Sequence, residues 1–372
     1  MTITAVIPAV ATARDVVDTL VHPIASDRAI RAYLPEVWKK FPLPKPEHNV
    51  YAPPFGEYHP DIEMTVEENV QRTDGLGKAG TTKIITPAQV RRDLFGAGGV
   101  TRAILVPLTR GIQPDPDMDH AIAQATNDWL AETWLSKDAN PDGRFKGSIR
   151  VTPRHPAKAA REIERWAKHP HMVQVAVPLQ ATTPYGDPMY WPVWEAAAKH
   201  GLPVVVRADT GSGIEPTPSA VGFPLTTYAM HVLQPYNGLI HLVSLVMQGV
   251  FARYPSHIWV FADGAFDSFA PILWRLNNEW RESRFQTPWI EHLPSDFLPT
   301  NVRLVLRSCD ANSDDVKMRT ALELAQAEKL LMYGSGYPFW DRWTAGEAGE
   351  LLPPQFGDAV FRGNAETLYR LT

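Results

Sequence analysis

Short β-branched runs alternate with longer amphipathic stretches along most of this chain. The runs predict strands at 15–21, 102–108, 145–151, 171–178, 203–207, 257–263, 302–307 and 330–334. The stretches between them (87–95, 117–136, 156–168, 190–200, 228–253, 267–283 and 312–328) place apolar residues at helical spacing. Val204-Val205-Val206 and Ile258-Trp259-Val260-Phe261 are apolar on both faces, as parallel strands covered by helices must be. Eight such strand–helix units predict an α/β fold, a (β/α)8 TIM-type barrel, as a single domain over 1–372.

Segment 23–86 breaks the alternation. It is rich in Pro, His and Tyr, as in Phe41-Pro42-Leu43-Pro44 and Tyr51-Ala52-Pro53-Pro54-Phe55. A connection that long after a first strand is an insertion. It leaves from the C-terminal end of that strand, the face that carries barrel active sites, so a lid or interface insertion is expected. A second irregular stretch spans 286–300.

Composition narrows the class. Hydrophobic residues make up 44% and charged residues 21% of the 372, which suits a globular protein with a large core. A balance of 36 basic to 41 acidic residues, a net charge of −5, argues against nucleic acid as a partner. One cysteine, Cys309, excludes an intrachain disulfide framework. No apolar run is long enough to span a membrane. No basic residue precedes Arg14, so no signal peptide is expected and the cytoplasm is the expected location. The 34 prolines imply many ordered connections, and the 12 tryptophans suit a core or a subunit interface equally.

In a barrel, the C-terminal ends of the strands converge on one mouth. Strand 1 brings Leu20 and His22 there, one residue apart and so on one face. Strand 5 brings Arg207 and strand 6 brings Asp263. Strand 7 runs into Arg307, Ser308, Cys309 and Asp310, and strand 8 into Gly334-Ser335-Gly336-Tyr337-Pro338. His22 suits a metal ligand or a hydrogen-bonding rim residue. Asp263, before Gly264, suits a ligand or a turn residue. His231, at a helix start, is open in the same way. A guanidinium is always cationic, repels a metal and attracts carboxylates. Arg207 is therefore expected to pair with Asp263 on the neighbouring strand, and it can also anchor a substrate carboxylate. Cys309 reads as a small core residue.

These strings resemble the amidohydrolase superfamily, in its amidohydrolase-2 branch. The resemblance runs through Asp18-x-x-Val21-His22-Pro23, Tyr33-Leu34-Pro35-x-x-Trp38 and Asn127-Asp128-Trp129. It continues through Tyr190-Trp191-Pro192, His231, Ser244-Leu245 and Trp274-Arg275-Leu276 to Gly334-Ser335-x-Tyr337-Pro338 and Asn364-Ala365-Glu366. It implies a metal site, with His22, His231 and Asp263 as residual ligands. The same resemblance exposes losses. The branch carries a ligand where this chain has Leu20, a histidine where it has Arg207, and an aspartate where it has Gly336; Asn277 stands where an aspartate is common.

Three losses together imply no metal, or one residual divalent ion (Zn or Mn). Within the branch the pattern is similar to the metal-poor chains of hetero-oligomeric monooxygenases that hydroxylate a small amino acid such as 2-aminoisobutyrate. That likeness implies a non-catalytic subunit beside a homologous partner carrying an Fe/Mn-type dinuclear site, in a two-plus-two assembly. The alternative is an independent hydrolase or decarboxylase with one metal ion, acting on a small acid.

Overall fold

In the computed structural model the described residues are 15–40, 65–67, 82–96, 98–109, 115–209, 227–263, 266–306, 316–339 and 342–371. The eight strands appear where the alternation puts them: β1 (Val16–Val21), β2 (Val100–Leu105), β3 (Phe145–Arg150), β4 (Met172–Pro178), β5 (Val204–Arg207), β6 (Trp259–Phe261), β7 (Val302–Leu306) and β8 (Leu331–Tyr333). Each pairs in parallel with the next in chain order. Just beyond β8 the chain returns to β1: Val21 and Tyr337 bridge, and Gly336 N donates to the Leu20 carbonyl at 2.9 Å. This is the (β/α)8 barrel that the alternation predicts, nearly closed.

The two-sided apolar strands explain its core. Val17, Ile104, Val205, Val260 and Met332 point inward and fill the barrel. Val16, Leu105, Val204, Val206 and Phe261 point outward, under the helices. Alternation along a strand places successive side chains in these two cores. Trp194 and Trp259 are fully buried between strand and helix, edge to face with ring centroids 4.6 Å apart.

Several helices are shorter than their patterns. The stretch at 228–253 forms two helices, Thr227–Met247 and Val250–Arg253. Gly249 parts them at a φ of 81°, and the Trp289 ring packs so close that a Cβ there would meet it at 2.6 Å. The stretch at 312–328 is parted at Gln326 into Val316–Leu324 and Ala327–Leu330. The first crossover starts at Pro87–Val90, where Thr86 and Gln89 form a reciprocal capping box, and continues as a π-helical turn over Arg91–Gly96.

Within the insertion, Ser26 caps a helix at Asp27–Tyr33, and Thr65–Glu67 pairs antiparallel with Thr82–Ile84. Segments 41–64 and 68–81 lie outside the described residues. The expected lid falls largely on them.

Candidate active site at the barrel mouth

β1 ends by delivering His22, which is fully buried. Its Nδ1 lies 2.9 Å from the Val106 carbonyl. A carbonyl only accepts, so Nδ1 carries the proton and Nε2 presents a lone pair. Arg207, the last residue of β5, donates its Nε–H to that lone pair at 3.4 Å. The Arg207 Nη1 donates to Asp263 Oδ1, forming the expected ion pair, and Ala208 N donates to Asp263 Oδ2 at 2.7 Å. Asp263 therefore acts here as an acceptor for one guanidinium and one backbone amide. The Phe339 ring closes the other side of His22, centroids 5.2 Å apart.

The imidazole is oriented as a metal-bound histidine would be, with Nδ1–H on a carbonyl and Nε2 aimed inward. What meets it is a cation that belongs to the chain. Among the described residues, the neighbouring positions offer no replacement ligands. Leu20 is buried in the apolar barrel interior. A Cβ on Gly334 would lie 2.7 Å from that of Leu20, so β8 presses directly on it. Gly336 has no side chain to offer, and its φ of 74° disfavours any other residue. Among the described residues, no three His, Cys, Asp or Glu side chains come together to hold a metal. The described part of the mouth does not fit the metal that the resemblance implies. His231 lies in the first turns of helix Thr227–Met247, with its side chain outside the described residues, as are Arg307, Ser308, Cys309 and Asp310.

A second ion pair shares the mouth and escaped the sequence reading. Arg150, at the end of β3, donates through Nη2 to Asp209, and both side chains are wholly buried. Thr109 donates to the same carboxylate through its amide (3.3 Å) and hydroxyl (3.2 Å). Gln180 Oε1 accepts from Asp209 N at 3.3 Å. Burial pushes the Asp209 carboxyl above its ordinary range, against the pull of Arg150. Asn127 fixes the strand end from outside: its side chain accepts from Arg150 N at 2.7 Å and donates to Arg150 O at 2.8 Å. The available signal was alternation, since Ser148 and Arg150 are polar on the inward side of a strand whose Phe145 and Ile149 face outward.

Asp18 completes the polar set. Its Oδ1 accepts from Leu20 N (3.1 Å) and Ser335 N (2.9 Å), tying β1 to the turn after β8. Oδ2 is buried without a hydrogen-bond partner, and burial raises the carboxyl to about 6.

The amidohydrolase family profile matches residues 88–371, most of the chain. The chain belongs to the amidohydrolase family. No curated protein matches its sequence. Among solved structures it is similar to an amidohydrolase from Mycobacterium avium subsp. paratuberculosis K-10, with 18% identity, 96% of this chain and 100% of that one covered, and a TM-score of 0.71. It is also similar to 5-carboxyvanillate decarboxylase from Sphingomonas paucimobilis (19% identity, 96% and 99% covered, TM-score 0.65). A third is dihydroxybenzoic acid decarboxylase from Polaromonas sp. JS666 with bound manganese and 2-nitroresorcinol (18% identity, 96% and 97% covered, TM-score 0.63). At such identities the likeness is one of fold.

Proposed function

We propose that this amidohydrolase-fold chain does not run metal chemistry at its own mouth, and that it serves as the metal-poor subunit beside a homologous, metal-bearing chain. The monooxygenase assembly acting on a small amino acid or other small acid is the finer form of this reading. One observation carries it: the Arg207 guanidinium lies between His22 Nε2 and Asp263, the two groups best placed to ligate an ion. A fixed cation bonded to both would have to leave before a divalent ion entered.

The second reading is an independent hydrolase or decarboxylase holding one divalent ion. The family match and the manganese-bearing decarboxylase among the similar structures favour it, as does the metal-ready tautomer of His22. Metal analysis of the chain purified alone, then with a homologous partner, separates the two. The first reading expects metal only in the complex. Stoichiometric zinc or manganese in the isolated chain, lost on His22→Ala, would replace it with the second.

A further inference from the structure

A cleft opens between the loops that follow β3 and β4, beside the first turn of helix Pro116–Thr133. Neither His22 nor the Arg207–Asp263 pair lines it. Pro153, Pro178 and Ala181 give it apolar walls, with two tyrosine rings. The tyrosine hydroxyls are committed: Tyr185 donates to the Pro178 carbonyl, and Tyr190 is bonded to the Thr182 and Thr183 hydroxyls at 3.2 Å. Thr152 is not. It is only 3% exposed, and its hydroxyl has no hydrogen-bond partner among the described residues. A buried hydroxyl left in that state is unfavourable, and a ligand group that bonds to it removes the penalty. The same cleft carries two opposite charges. Asp119 Oδ2 and Arg154 Nη1 lie 3.7 Å apart, wider than a hydrogen bond. Asp119 keeps 3% of its side chain exposed and Arg154 20%, so the negative charge lies deep and the positive one at the rim.

We propose that this cleft binds a compact zwitterion, a small molecule carrying an ammonium and a carboxylate on neighbouring atoms. Counted out to its solvent mouth the cleft spans about 270 Å³, but its enclosed floor admits only a group the size of a water molecule. A primary ammonium is such a group, and a carboxylate is not. The ammonium enters, donating to Asp119 and to the Thr152 oxygen, while the carboxylate stays outward on Arg154. Laid beside the Asp119–Arg154 pair in this sense, the ligand sets each of its charges against the opposite one. The apolar walls leave room for a small uncharged side chain, so a small α-amino acid is the simplest ligand of this class. The site needs no metal and holds under either functional reading.

Calorimetric titration of the full chain with glycine and L-alanine tests it, beside methylamine and acetate, which carry one charge each. The expected result is saturable binding of an amino acid, with methylamine and acetate at least about tenfold weaker. Thr152→Val deletes an unpartnered hydroxyl, so it should keep or raise the wild-type melting temperature while weakening amino-acid binding about tenfold. Arg154→Gln, at the rim, should bring glycine down to the level of methylamine. No binding of either amino acid in the millimolar range overturns the proposal, as does acetate binding as well as glycine. So does binding that both variants leave unchanged, or that Arg207→Met abolishes instead, which would put the ligand at the other ion pair.

Discussion

Two arginine–aspartate pairs sit in the same barrel mouth and do different work. Arg150 and Asp209 are wholly enclosed, and their carboxylate is further satisfied by Thr109. They tie the end of β3 to the segments following β2 and β5. Arg207 and Asp263 keep 9% and 7% of their side chains exposed, and the guanidinium also engages a histidine lone pair. The first pair acts as a brace. The second joins the ends of two adjacent strands, β5 and β6, and also reaches the buried histidine at the end of β1. A buried charge pair alone therefore says little about function; its position among the strand ends says more.

Removing one partner of each pair is the strongest test of that distinction. Arg150→Met leaves Asp209 buried without its cation and should cost about 3–5 kcal/mol of stability in urea unfolding. Adding Asp209→Leu should return most of that loss, because a matched apolar pair carries no desolvation cost. Arg207→Met should cost less, about 2 kcal/mol, since Asp263 keeps the Ala208 amide and some contact with water. Equal losses for the two arginines would mean that both pairs are braces, and the comparison would break.

Arg207→His tests the other half of the argument. It removes the guanidinium and adds an imidazole between His22 and Asp263. Zinc or manganese should then stabilise the variant by about 1–2 kcal/mol when present ten- to thirtyfold above its dissociation constant. The wild type should not respond in the same thermal melts. A wild type stabilised as strongly as the variant would show that the guanidinium does not exclude metal.

The barrel was legible because periodicity is a long-range, redundant signal: eight strand runs alternating with helical stretches each vote for the same architecture, even where one of them, β3, is polar on its inward side. The ion pair of Arg207 with Asp263 was legible because adjacent strands place their ends side by side. Arg150 with Asp209 was not. Their strands, β3 and β5, are separated by β4 in the barrel, and nothing local announces that two inward side chains meet across its interior. The helix boundaries at Gly249 and Gln326 failed for another reason. Their breaks depend on single backbone positions with positive φ: Gly249 carried the usual glycine stop signal inside an otherwise continuous pattern, whereas Gln326 gives no warning.

The brace also rests on an uncharged histidine, which gives the smallest and most specific test. His241 Nε2 donates to the Leu179 carbonyl at 2.8 Å, and its Nδ1 accepts from Tyr185 N at 3.1 Å. These bonds hold the segment after β4 from which Gln180 reaches Asp209. Burial lowers His241 to about 4, and His257 likewise to about 4. Unfolded histidine binds its proton near pH 6.5, whereas these folded ones resist until about pH 4. Stability is therefore present above pH 6.5 and drains as pH falls toward 4. Between pH 7 and 5.5 each histidine should contribute about 1 kcal/mol of that loss. His241→Gln keeps an acceptor and a donor on one side chain and cannot titrate, so it should remove about half of the loss assigned to the two histidines. An acid profile identical to wild type would mean that His241 is not the neutral support of the Arg150 side that its two hydrogen bonds make it.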